Sequence, residues 1–238
     1  MPVHTDAAGE QAWNSAAISA RPASVASRVW LWPRPAIVLG CAQRGLAEAV
    51  RDRVGSRIEV RVREAGGGAV LVGPWMIGVS LVLPASDPRA GRSPTDGYAW
   101  LSLRLVEALR SAGCNARAVP PAELRGSAPD GAPAAAPRAD AWPSATPVTW
   151  ACFGSLSPWE IVDARGRKLV GLAQRRTRDA VLLVAGVLAT EPQWEILCSA
   201  MGYPGDAQRL RQLTAACLPT GAQATELSAR IEAEIARY

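Results

Sequence analysis

The chain has 238 residues, 49% of them hydrophobic, and a formal net charge of +5, enough for one large self-sufficient core. Its basic residues are mostly arginines scattered along the chain, a charge that suits acidic partners, and with no basic block, finger spacing or RNP-type aromatic motif nucleic acid is a weak candidate among them. The single histidine, His4, lies near the N-terminus, so Ser-His-Asp and Cys-His chemistry have no imidazole in the core and proton transfer is left to lysine, carboxylate, thiol or water.

Five cysteines, Cys41, Cys114, Cys152, Cys198 and Cys217, are widely spaced and include no C-x-x-C, which argues against a structural zinc site or thioredoxin chemistry. No secretory signal is visible, and the apolar run from Ala180 to Ala189 is about half the length of a spanning helix. A reducing cytoplasm without a membrane partner is the expectation.

Residues 1–27 read as a flexible lead-in, with a short helix around Glu10 to Ile18, and residues 28–238 as one domain. Arg28 to Trp32 starts a strand pattern that Pro33 to Pro35 breaks and Ala36 to Gly40 resumes. Gly45 to Arg53 reads as an amphipathic helix, and Arg57 to Arg63 as a strand with Ile58, Val60 and Val62 on one face. That strand runs into Gly66-Gly67-Gly68, whose backbone can cradle a phosphate or an acyl carbonyl, with Arg63 offering a fork of donors three residues earlier. A plain flexible turn stays open on spacing alone. Two further strands, Leu71 to Pro74 and Trp75 to Pro84, precede a helical spacing from Tyr98 to Ala112 with Leu101, Leu105, Val106 and Leu109 on one face.

A short strand at Ala116 to Val119 leads into residues 120–147, whose Pro and Ala content reads as a loop, either an ordinary surface loop or a lid. Cys152-Phe153 then enters a loop, followed by a strand at Trp159 to Val162. Gly166 to Arg176 and Ala180 to Ala189 read as a β-hairpin about a turn at Thr177-Arg178-Asp179, which projects Lys168 from a strand where Gly171 and Ala173 leave room for a ligand or another backbone. Residues 191–238 carry three helical segments, Glu191 to Met201, Ala207 to Cys217 and Gln223 to Ala236. The whole is an α+β pattern.

Arg167-Lys168-Leu169-Val170-Gly171-Leu172-Ala173-Gln174-Arg175-Arg176 resembles the lysine motif of lipoate-protein ligases and cysteine-dependent octanoyltransferases, G-R-K-hydrophobic-x-G-S-A-Q-x-R. The resemblance extends, in family order, to Cys152-Phe153 and to Arg63 with Gly66-Gly67-Gly68-Ala69-Val70. It implies a biotin/lipoyl protein ligase catalytic-domain-like fold, a mixed, mainly antiparallel sheet packed with helices. It further implies transfer of an octanoyl or lipoyl group to a lysine of a lipoyl domain or glycine-cleavage H-like protein. By resemblance Cys152 is the nucleophile and Lys168 the electrostatic group. Arg63, Gly66, Gly67, Gly68 and Ala69 form the acyl or nucleotide cradle, Gly40 and Gln43 frame the acyl pocket, and Gly171, Ala173 and Gln174 line the lysine strand.

Two enzymatic versions follow from it. The thioester transferase takes its acyl group from an acyl carrier protein and needs no cofactor, whereas the ligase takes free lipoate or octanoate and needs ATP and Mg²⁺. A non-catalytic carrier-binding homologue is a third reading, because the chain departs from the family pattern. Ala65 replaces Ser or Thr, Val72 replaces His, Leu172 replaces Ser, and Leu183-Val184-Ala185-Gly186 keeps the glycine but not the polar positions.

Overall fold

A computed structural model describes residues 1–124, 145–218 and 223–237. The large sheet has seven strands in the order β1 (Val3–His4), β2 (Ala26–Leu31), β6 (Met76–Pro84), β10 (Ala180–Leu188), β9 (Lys168–Arg176), β8 (Ile161–Val162) and β7 (Arg117–Ala118). A small sheet of three strands, β4 (Glu59–Val62), β3 (Ala36–Leu39) and β5 (Val70–Val72), packs beside it. Pairing in the large sheet is antiparallel except between β1 and β2.

Alternation along the central strands divides the interior in two. On β10, Leu183, Ala185 and Val187 join Leu101, Leu105 and Leu109 of α3 (Pro94–Ser111) and Leu227 and Ile231 of α7 (Ala224–Ile235) in one core. The opposite core holds Ile37, Leu39 and Leu71 of the small sheet with Val50 of α2 (Ala47–Val54), Trp194 and Leu197 of α5 (Trp194–Met201) and Leu210 of α6 (Ala207–Leu213). Helix α3 begins where Ser93 and Asp96 cap each other, the Ser93 hydroxyl accepting from Asp96 N at 3.1 Å and the Asp96 carboxylate from Ser93 N at 3.2 Å. No helix among the described residues is long and apolar enough to cross a membrane.

The hairpin read from Lys168 onward is present as β9 and β10, with Val184 opposite Ala173 and Gly186 opposite Gly171. Two segments differ from expectation. Residues 1–27 form β1, helix α1 (Ala7–Ser19) and the start of β2, in place of a flexible lead-in. Asp6 accepts from Gly9 N at 2.8 Å to start the helix, and Ala7 and Ile18 are buried against the sheet. The second of the three C-terminal helical segments, expected over Ala207 to Cys217, stops at Leu213, and residues 214–218 run extended beside the sheet. There Ala215 N donates to Lys168 O at 3.0 Å and Cys217 N to Leu188 O at 2.8 Å, satisfying strand carbonyls that a helix would have left bare. Most of the expected loop at 120–147 lies outside the described residues; its start carries α4 (Pro121–Leu124).

Candidate active site

Two loops meet over the central strands. The glycine loop leaves β4 through Arg63, and the second loop carries Cys152 between Trp150 and Ser155. A parallel bridge joins them, with Ala69 N donating to Trp150 O at 2.9 Å and Cys152 N to Ala69 O at 2.8 Å. Gln43 reinforces the joint: its amide donates to Trp150 O at 2.9 Å and its Oε1 accepts from Gly40 N at 3.3 Å. A Cβ on Gly40 would lie 1.8 Å from Gly67 O, so only glycine allows this approach, and Gly67 itself has φ +92°. Gly40 and Gln43 therefore support the loops, and neither lines the cleft.

Arg63 is 5% exposed, and its guanidinium is enclosed by carbonyls: Nε and Nη2 donate to Gly66 O at 3.1 and 2.8 Å, Nη2 to Gly68 O at 2.8 Å, and Nη1 to Val38 O at 3.2 Å. The expected fork of donors is thus spent mostly on folding the glycine loop. In a trans peptide N–H points opposite to C=O, so turning Gly66 O toward Arg63 turns Gly67 N–H away from it.

Beneath the loops lies an open cleft lined by Arg63, Cys152, Phe153, Gly171, Ala173, Val184 and Gly186, with Trp32, Val38, Val70, Val72 and Met76 from the small-sheet side. Its floor follows from strand register. Gly78, Gly186 and Gly171 lie directly opposite one another on β6, β10 and β9, forming a row without Cβ atoms. A Cβ on Gly171 would lie 3.2 Å from Cys152 Sγ, one on Gly186 2.9 Å from Met76 sulfur, and one on Gly78 2.1 Å from the Trp32 ring. The Cys152 thiol, half-buried and free, rests on this floor.

Lys168 opens β9 and is 1% exposed. Its ammonium donates to Cys152 O at 2.6 Å and Ser155 O at 2.9 Å, pairs with Glu160 Oε2 at 2.6 Å, and lies 5.4 Å from the centre of the Phe153 ring. Three N–H donors meet three acceptors, so the amine is fully engaged. It grips the backbone of the Cys152 turn and does not line the cleft. Glu160, 2% exposed, also accepts from Ser157 N at 2.7 Å and Leu172 N at 3.1 Å. Burial pushes its carboxyl above the usual carboxylate range against the pull of Lys168 and these backbone donors.

Gln174 sits farther along β9, where its amide donates to Pro94 O at 2.7 Å and its own carbonyl accepts from Gly66 N at 3.4 Å, tying the glycine loop to the strand. Among the described residues no three His, Cys, Asp or Glu side chains cluster as a metal site.

Residues 6–209 match the family model of the lipoyl protein ligase A/B catalytic domain. The chain belongs to this family. It is 31% identical over 184 residues to the octanoyltransferase LipM of Kyrpidia tusciae, covering 77% of this chain and 61% of that protein. To the LipM of Brevibacillus brevis it is 24% identical over 186 residues, 78% of this chain and 62% of that one. The chain thus spans about three fifths of the length of these curated relatives. In fold it is similar to a lipoate-protein ligase A crystallised with ATP, with a TM-score of 0.67 and 16% identity over 99% of this chain and 82% of that one. A T. acidophilum protein described as a putative lipoate protein ligase with bound lipoic acid gives a TM-score of 0.66 at 15% identity, again over 99% and 82%.

The departures from the lipoyl ligase pattern have physical places. Leu172 belongs to the core with Leu101 and Leu105, on the strand face opposite that of Gly171 and Ala173. Ala65 is buried, its carbonyl accepting from Cys41 N at 3.2 Å. Val72 and Val184 both line the cleft, so two polar positions of the lipoyl ligase pattern are apolar wall here.

Four contributors escaped sequence reasoning. Trp32 and Met76 were visible only as strand residues, and Glu160 only as the start of a strand. Glu10 was the hardest, because α1 is built of alanines with little apolar stripe to mark its buried face. It reaches the cleft at 8% exposure, and burial raises its carboxyl to about 7 against hydrogen bonds from Gln11 and Asn14 and the charge of Arg63.

Proposed function

We propose that the protein is a cysteine-dependent octanoyltransferase, moving an octanoyl or lipoyl group from an acyl carrier protein to a lysine of a lipoyl domain or H-like protein by way of a Cys152 thioester. The observation that carries this reading is the placing of a free, half-buried thiol on the glycine floor of a mostly apolar cleft. The names of the LipM relatives support it. The Cys152 thiolate attacks the donor thioester carbonyl, the carrier's thiolate leaves, and the chain lies against Val72, Met76 and Val184. The acceptor amine then attacks the new thioester, loses its proton to solvent or a carboxylate, and releases Cys152.

Lys168 serves this chemistry as a positioning residue, holding the Cys152 and Ser155 carbonyls so that Sγ faces Gly171. Its charge also lies beneath the turn where negative charge develops on the thioester oxygen. No cofactor is required.

Incubation with octanoyl-carrier protein and intact-mass analysis tests the proposal, with an expected gain of about 126 Da on the native chain and none on Cys152→Ser. A Cys152→Ser protein that still lipoylates an acceptor with ATP and Mg²⁺ would replace this reading with the ligase. Tight binding of a lipoyl domain without any adduct would replace it with a non-catalytic adaptor.

A further inference from the structure

Outside the cleft, the Cys152 turn carries an aromatic pair open to solvent. Trp150 stacks on Tyr203 with ring centres 5.4 Å apart and planes 21° from parallel, and Tyr203 is 52% exposed. Neither ring lines the cleft. The pair is held in place from beneath: Trp150 Nε1 donates to Asp206 Oδ2 at 2.8 Å, Arg209 Nη1 donates to Asp206 Oδ1 at 2.7 Å, and Tyr203 N donates to Cys198 O at 2.8 Å. Trp150 O is the acceptor that joins the Cys152 turn to the glycine loop, so the ring pair and the thiol two residues on share one joint. The rim of this platform is cationic. Arg44 is exposed and follows Gln43, whose amide holds Trp150 O. Arg53 donates to Ala200 O at 3.0 Å and lies against Gly202, the neighbour of Tyr203, its Cζ 3.6 Å from the place of a Cβ there. The Asp206 charge is spent on Trp150 and Arg209, and Glu48 and Asp52, five and one residues from Arg53 on α2, face other directions around a helix of about 3.6 residues per turn.

We propose that the Trp150–Tyr203 platform, with Arg44 and Arg53 at its rim, is the docking surface for the acyl donor, an acidic carrier protein whose acyl arm hangs from a phosphodiester. The inference rests on the thioester reading of Cys152 given above. A carrier presents carboxylates and the phosphate beside the root of its arm, and the arm must run from there to the thiol. Cations that hold the root therefore belong next to the Cys152 turn, where Arg44 and Arg53 stand. Arginine forks match carboxylate and phosphate oxygens, and a stacked tyrosine supplies contact area with little side-chain entropy to lose. The acceptor lysine arrives as an ammonium, which the same rim repels, so the charge favours the donor over the acceptor.

The test titrates the full chain with holo acyl carrier protein by calorimetry. Arg44→Glu should weaken binding roughly tenfold and Tyr203→Ala about fivefold, both with native melting curves, and added salt should weaken the native complex more than the Arg44→Glu complex. In the intact-mass assay both variants should gain the Cys152 adduct more slowly from octanoyl-carrier protein, yet at the native rate from octanoyl-N-acetylcysteamine, a short thioester with neither carrier nor phosphate. Native affinity for the carrier in both variants would overturn the proposal, as would a loss confined to titration with a lipoyl-domain acceptor. A native chain that binds the carrier through Arg44 and Tyr203 but gains no adduct would uphold the docking surface and remove the thioester reading, so the two failures are told apart.

Discussion

Replacing Glu10 with glutamine should stabilise the protein above neutral pH and leave it little changed near pH 4.5. The Glu10 carboxyl is almost completely buried, and burial raises it from 4.5 to about 7. Between those two values the folded protein holds a proton that the unfolded chain has released, so stability falls as pH rises through the window and is level above it. The gap of about 2.5 pH units at 1.36 kcal/mol each gives a penalty of about 3 kcal/mol once pH exceeds 7. Glutamine removes the charge, keeps an acceptor for Asn14 Nδ2, and offers a donor to Asn14 Oδ1, which has no partner among the described residues. Urea unfolding of both proteins at pH 5, 6, 7 and 8 should show curves that coincide at the acid end and separate by about 3 kcal/mol at the alkaline end. Parallel pH dependences for the two proteins would refute the reasoning, because a buried carboxyl that titrates like an exposed one has no such penalty.

Glu160→Gln leaves the buried Lys168 ammonium without its counter-charge and should cost about 3–5 kcal/mol, read as a lower urea midpoint together with faster proteolytic cleavage within residues 152–157; a cost below about 1 kcal/mol would mean that the carbonyls alone sustain the lysine. Gly171→Ala puts a Cβ 3.2 Å from Cys152 Sγ and 3.3 Å from the Phe153 ring, and the thiol is the group free to yield. It should slow iodoacetamide labelling of Cys152 roughly tenfold with less than about 1 kcal/mol lost in stability. Unchanged labelling would show that the thiol does not need that floor.

Much of the site was legible because chemistry and backbone geometry share the same residues. Gly171 and Ala173 signalled open space on a strand, and they line the cleft floor. The glycine triplet was read as a loop whose backbone can cradle a ligand or as a plain turn, and in the structure it is a place of close backbone approach, with Gly67 O against Gly40. The direction of side chains was less legible. Arg63 and Lys168 carry the motif, yet Arg63 spends its donors on backbone carbonyls and Lys168 on two carbonyls and the Glu160 carboxylate, a result set by loops meeting from distant parts of the chain and not by local pattern. Glu10 was hidden for a different reason: alanine-rich helices bury a face without showing a hydrophobic stripe, and helix α1 is recognisable as part of the domain only once the sheet is beside it.

The shortness of β8 has a consequence for how this protein fails. β8 covers β9 only at its start, where Val162 pairs with Lys168 and Ile161 with Val170. Beyond it, Leu172 N–H is taken by the Glu160 side chain, and Gln174 carbonyl by the Gly66 amide. The loops that build the cleft thus also close what would be an open sheet edge, with a side chain and a glycine amide standing in for a missing strand. Bare edges recruit other chains. Damage to Glu160 or the glycine loop should therefore lead to self-association of the protein as well as to a less ordered cleft.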